Sequence, residues 1–244
     1  MRRALAVSAV LFAMVLPGGA PSHSARDPLR GLPVHDYDPD TTPLGGVVFF
    51  SGDGGWRSFD GTNGDSLRSL GYRVLGMDDL RLFANEMSGD TLAVVGRRLV
   101  DFLRAHLPRG APVYLAGYSF GANIVADAAA RGVESDGLYL LGPSRRGVRK
   151  ITFGGFLNHE PDGPTSFDVA EQLNARGCVP AVFVTGDVDR AGKGAEVFAA
   201  VRRPSLQVFV AGAGHHYYGG DARYMRAARQ ALSWLATRRG SCTP

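Results

Sequence analysis

The sequence is poor in the features that most quickly identify a cofactor or a nucleic-acid partner. It has two cysteines, Cys178 and Cys242, too few and too far apart for a zinc site. His23, His35, His106 and His159 are scattered without metal-ligand spacing, so no metal and no cofactor is expected. The glycine-rich loop Ser51–Trp56 lacks the Lys-Ser/Thr ending of a P-loop and the spacing of a dinucleotide fingerprint, which argues against nucleotide binding. No basic stretch is interleaved with aromatic residues. The formal net charge is only +4, and Arg2 and Arg3 supply two of those charges, so nucleic acid is not an expected partner. Internal repeats and low-complexity tracts are absent. The apolar run Ala4 to Leu16 falls short of the roughly 20 residues that cross a bilayer.

What is there is ordinary globular composition, 45% hydrophobic and 20% charged, with enough chain for one domain and a sizeable core. The N-terminus reads as an export leader: Arg2 and Arg3, the apolar run, the breakers Pro17, Gly18 and Gly19, then the small-x-small site Ser22-His23-Ser24. Residues 1–24 are the expected signal peptide, with cleavage after Ala20 as the alternative, and residues 25–43 form a polar, Pro-containing segment. Residues 44–244 form the folded domain. Export to an oxidising compartment permits a Cys178–Cys242 disulfide that would pin the C-terminus, although spacing leaves the pairing open.

Within that domain, short apolar strands alternate with helices. Strands are expected at Gly46–Phe50, Tyr72–Met77, Val113–Ala116, Gly137–Leu141, Ala181–Val184 and Leu206–Val210. Leu92, Val95, Leu99 and Leu103 recur at helical spacing from Asp90 to His106, and Pro108 ends the pattern. Gly121 to Ala130 reads as a small-residue helix, and Asp221 caps a closing amphipathic helix. This alternation implies an α/β fold: a mostly parallel sheet with helices on both faces, and ligands bound beyond the carboxyl ends of the strands.

Residues able to do chemistry follow the expected strands. Gly117-Tyr118-Ser119-Phe120-Gly121 matches G-x-S-x-G, a motif that 33 glycines alone make fairly common; roughly 0.3 matches are expected by chance. Its setting between a strand and a helix is what a nucleophile elbow needs, and it marks Ser119 as a candidate nucleophile. A packed strand–helix junction with a bystander serine would share the five residues. Two more sites lower that chance. Asp187 and Asp189 follow the fifth main strand, and His215 and His216 follow the sixth. The order Ser, Asp, His is that of the α/β-hydrolase fold. Three positions after the strand-ending Gly186 lies Asp189, the expected acid, with Asp187 as the alternative. The Gly-x-x-His spacing from Gly212 favours His215 as base over His216. The oxyanion hole is expected from the backbone N–H groups of Phe120 and Asp53. Arg145, Arg146, Arg149 and Lys150 are either a solvated loop or a surface for lipid phosphates.

Phe49-Phe50-Ser51-Gly52-Asp53-Gly54-Gly55-Trp56, the segment Gly117 to Ala122, and the blocks Gly214-His215-His216-Tyr217 and Gly219-Gly220-Asp221 resemble the signature blocks of the bacterial VirJ/AcvB virulence-protein family. The likeness runs from about Gly46 to the last helix. The acidic segment Asp187 to Gly192 departs from the Glu/Asp-rich run followed by Cys that the family tends to have. The resemblance implies a periplasmic α/β-hydrolase domain, hydrolysis of the aminoacyl ester of lysyl-phosphatidylglycerol, and a link to type IV secretion. It further implies an aminoacylated phospholipid as partner, peripheral contact with the inner membrane, and contact with secretion-system proteins. Asp53 or Asp187 would then be placed to meet the substrate ammonium group. The readings that compete with it are a serine esterase, thioesterase or peptidase of another substrate, and a non-catalytic periplasmic adaptor.

Overall fold

Val47, Val48, Phe49 and Phe50 are all buried because alternate side chains of their strand enter opposite apolar layers. Val48 and Phe50 join one layer, and Val47 and Phe49 the other. The next strand but one behaves the same way: Val113 and Leu115 face the first layer, and Tyr114, Ala116 and Tyr118 the second. A strand covered on both faces reads as an unbroken apolar run, as these do.

The computed structural model describes residues 28–152, 160–175, 178–216 and 221–239. The expected leader 1–24 and Cys242 lie outside the described residues, as do Tyr217, Gly219 and Gly220 of the signature blocks. Nine strands are described: β1 (Val34–Tyr37), β2 (Gly45–Phe50), β3 (Tyr72–Met77), β4 (Val113–Tyr118), β5 (Gly137–Leu141), β6 (Arg146–Gly147), β7 (Phe167–Asp168), β8 (Ala181–Gly186) and β9 (Ser205–Val210). The described helices are α1 (Ser58–Ser69), α2 (Asp79–Leu82), α3 (Gly89–His106), α4 (Phe120–Ala130), α5 (Val169–Ala175), α6 (Gly194–Ala200) and α7 (Ala222–Thr237).

Seven strands form one sheet in the order β1-β3-β2-β4-β5-β8-β9. All neighbours in it are parallel except β1, which runs antiparallel to β3 with Val34 opposite Met77. The alternation of strands and helices implies the α/β class, and this strand order with one antiparallel edge strand is that of an α/β-hydrolase fold in a single domain. The helices pack on both faces. Buried residues of α3, α4 and α5 belong to one layer, and those of α7 to the other. Ser88 caps α3 by accepting from the Thr91 N–H, and the helix stops before Pro108, where the preceding residue is pushed to extended backbone. Asp221 caps α7 by accepting from the Arg223 N–H.

A buried ion pair ties the segment after β6 to the core. Asp127 of α4 is fully buried between the Arg131 guanidinium at 3.0 Å and that of Arg149 at 3.1 Å. Arg149 also donates to the Met87 carbonyl and lies over the Phe167 ring. Of the four basic residues read as a possible lipid surface, Arg149 is therefore turned inward. Replacing Asp127 by Ala strands two cations in partly buried positions. Urea unfolding of D127A is expected to show a loss of about 3 kcal/mol or more; a loss below about 1 kcal/mol would contradict the assigned pairing.

Candidate active site

β4, β8 and β9 all end at the same rim of the sheet, and each is followed by one of the residues singled out from the sequence. Ser119 follows β4 directly. It is the one non-glycine among the described residues with positive φ, at φ 51° and ψ −112°. Such a conformation costs about 1–3 kcal/mol and persists only where the surroundings enforce it. Here they do. A Cβ on Gly117 would stand 2.3 Å from the Gly121 backbone, and one on Gly121 would stand 2.2 Å from the Phe50 carbonyl oxygen. Strand and helix can therefore meet this closely only through glycine. The Ser119 N–H donates to the Leu141 carbonyl at 2.8 Å, which fixes the turn to β5.

His215, after β9, lies with Nε2 3.0 Å from the Ser119 Oγ. Its Nδ1 lies 3.0 Å and 3.2 Å from the two carboxylate oxygens of Asp189, which follows β8. With Nδ1–H donating to Asp189, the neutral ring leaves Nε2 free to accept the Ser119 hydroxyl proton. The Asp189 side chain is fully buried and also accepts from the Ala191 and Gly192 N–H groups at 3.0 Å and 2.8 Å. Ser119, His215 and Asp189 are thus brought together. The neighbours are not. Asp187 accepts from the Gly212 N–H at 2.6 Å and closes the turn after β9. His216 bonds through Nδ1 to the Tyr118 hydroxyl at 2.8 Å.

Ser119, His215 and His216 line a cleft of about 700 Å³. Phe120 opens α4, where a backbone N–H has no partner within the helix, and Asp53 stands in the loop across the cleft. Burial pushes the Asp53 carboxyl above the usual range, while the Gly54 N–H and then His215 pull the other way. Arg146 and Lys150, two of the four basic residues noted above, line the cleft; Arg145 does not. Arg57, Arg190 and Lys193 line it as well, together with Asp53, Asp60 and Glu160. Sequence reasoning missed Tyr118 as a site residue, although it precedes the serine. Its ring lies 5.2 Å from that of His215 and 4.6 Å from that of Phe59. It also missed Asp60, whose signal was an acid at the third position of a helix entered from a glycine-rich loop. Among the described residues no group of three or more His, Cys, Asp and Glu gathers as metal ligands would.

A family model described as bacterial virulence protein (VirJ) matches residues 46–239. No curated protein matches the chain by sequence. Solved structures do match in fold. Est1E from Butyrivibrio proteoclasticus is 16% identical with TM-score 0.59, covering 84% of this chain and 94% of its own. The esterase domain of a Rhodothermus marinus protein is 20% identical with TM-score 0.58, covering 85% and 92%. The α/β hydrolase GrgF from a Penicillium species is 12% identical with TM-score 0.62, covering 85% and 99%. At these identities the likeness establishes the fold alone.

Proposed function

Because the chain belongs to the VirJ family of bacterial virulence proteins, we propose that it is an exported serine hydrolase in which Ser119 is the nucleophile, His215 the base and Asp189 the orienting acid. The observation that carries the reading is the unbroken hydrogen-bonded chain from the Ser119 hydroxyl through His215 to a buried carboxylate, mounted on a strained turn. In this reading His215 takes the proton as the Ser119 Oγ attacks an ester carbonyl, and the N–H groups of Phe120 and Asp53 receive the oxyanion. The collapsing intermediate expels the alcohol, which takes its proton from His215. Water, deprotonated by the same imidazole, then releases the acid from the acyl-enzyme.

For substrate we propose the aminoacyl ester of lysyl-phosphatidylglycerol, met at the periplasmic face of the inner membrane after removal of residues 1–24. The resemblance of the signature blocks to the VirJ/AcvB family points to this lipid and to a link with type IV secretion. Two features of the cleft support it. The Asp53 carboxyl offers a partner for an ammonium group beside the reacting carbonyl, and Arg146, Lys150 and Arg190 offer partners for the lipid phosphate.

Vesicles containing lysyl-phosphatidylglycerol test the proposal. The protein is expected to release free lysine and leave phosphatidylglycerol. Turnover of simple esters without lysine release would remove the lipid and keep the hydrolase. No turnover of either would favour an adaptor on a hydrolase scaffold. Asp53→Asn keeps the backbone donor and removes the charge. Its kcat/KM on lysyl-phosphatidylglycerol is expected to fall about tenfold, with neutral alanyl lipid little affected. An equal fall on both lipids would contradict the ammonium role.

A further inference from the structure

The loop that carries the proposed Asp53 donor leaves β2 at Ser51 and enters α1 at Ser58. Gly52, Gly54 and Gly55 give it little side-chain packing of its own, so its shape must be held from outside. Asp60, the third residue of α1 and only 4% exposed, is placed to do so. One carboxylate oxygen accepts from the Gly52 N–H at 3.4 Å, and the other from the Arg57 N–H at 3.2 Å. A single carboxylate therefore closes both ends of the loop. On the cleft side the Tyr118 ring lies against Gly52, where a Cβ would come within 3.1 Å of it.

We propose that Asp60 is a positioning residue: its ionised carboxylate fixes the shape of the loop from Gly52 to Arg57, and with it the place of the proposed Asp53 donor, and protonating it impairs hydrolysis without touching Ser119, His215 or Asp189. The inference rests on the serine-hydrolase reading above. An ionised carboxylate only accepts, so it satisfies both N–H groups at once. Once protonated, one oxygen carries a hydrogen that opposes an N–H donor, and one end of the loop is released.

The surroundings bring that switch into a measurable range. Burial lifts the Asp60 carboxyl to about 6 against the pull of the Arg57 and Gly52 N–H groups, and Asp78 pushes the same way as burial. Above that value Asp60 is ionised and the loop is clamped; below it the clamp is lost. From the junction of β3 and α2, Asp79 also faces Asp60. Asp79 is fully buried, its two carboxyl oxygens have no hydrogen-bond partner among the described residues, and burial pushes it well above the usual carboxylate range. From the end of β4 comes the Tyr118 phenol, which burial pushes above its ordinary value. The Arg57 guanidinium, on the same turn as Asp60, bonds the Gly54 carbonyl at 2.7 Å rather than the carboxylate.

The test is the pH dependence of kcat/KM on p-nitrophenyl acetate over roughly pH 5 to 9. The wild type is expected to show an acid limb that takes up two protons, one on the base and one on Asp60. Asp60→Asn should show a one-proton limb, with kcat at neutral pH lower by about tenfold and KM little changed, a fraction of the effect of deleting an oxyanion donor outright. Asp60→Glu, which keeps a titrating acid at the third helical position, should restore the two-proton limb. Asp79→Asn should keep it, because the Asp60 carboxylate and both of its N–H partners remain in place. A two-proton limb that survives in Asp60→Asn would overturn the inference, as would a one-proton limb in the wild type. If Asp60→Asn does not fold, the wild-type, Asp60→Glu and Asp79→Asn limbs decide. A fluorophosphonate separates the two levels of the argument. A wild type that labels on Ser119 but has a one-proton limb loses only the role of Asp60; a folded wild type that neither labels nor hydrolyses loses the hydrolase reading and this inference with it.

Discussion

Ser119→Ala is expected to lower ester hydrolysis by about 10⁴-fold or more while leaving thermal stability almost unchanged. The first half follows from the chemistry: alanine has no oxygen to attack the carbonyl, so only the oxyanion donors and substrate binding remain to accelerate attack by water. The second half follows from the turn. φ at 51° and ψ at −112° strain alanine as much as serine, so the substitution relieves nothing. What is lost is one hydrogen bond to a part-exposed imidazole, whose side chain is 18% exposed and can bond water instead. A variant that melts with the wild type and keeps more than a tenth of the activity would place the chemistry elsewhere.

Asp189→Asn should cost nearly as much, on the order of 10⁴-fold in kcat. The hydrogen bonds around the carboxylate say why. Ala191 and Gly192 both donate to the same oxygen, Oδ1, and the other oxygen lies 3.0 Å from His215 Nδ1. An asparagine placed here must turn its carbonyl oxygen to the two backbone donors, which aims its amide N–H₂ at His215. The ring must then accept at Nδ1 and carry its proton at Nε2, the nitrogen that faces Ser119. That tautomer cannot take the serine proton. Asp187→Asn is the control. Asn still accepts from the Gly212 N–H, and activity should stay within a few-fold of wild type. Comparable losses in the two variants would mean that the acid acts through general folding and not through the imidazole.

β2, β4, β5 and β8 were legible because each is buried on both faces and so reads as a continuous apolar run that needs no periodicity to be seen. β1 was not. It is a four-residue edge strand with only Val34 and Tyr37 partly buried, and its pairing to β3 comes from tertiary contact. α1 spans Ser58–Ser69. Its segment SFDGTNGDSLRS has few good helix formers, and docking rather than propensity holds it. Motif spacing found Ser119 together with two candidates each for acid and base. Spacing from Gly186 and Gly212 ranked Asp189 and His215 first in their pairs, and the geometry places His215 against the serine and Asp189 against His215. Spacing could say nothing of side-chain direction. Arg149 looked like a member of a surface cluster because its partner, Asp127, is 22 positions earlier in the chain on another element. Asp60 was hidden for a similar reason. An arginine at the helix cap masks the usual Ser/Thr signal, and the carboxylate's second partner, Gly52, lies on the far side of the loop.

The most direct test of the central claim is covalent. Treat the purified protein with a fluorophosphonate and locate the adduct by mass spectrometry of its peptides. The account predicts one adduct per chain, on the peptide containing Ser119, that vanishes in Ser119→Ala and forms far more slowly in His215→Ala. A folded protein that takes up no adduct, or takes it up on another side chain at the same rate in Ser119→Ala, would contradict it.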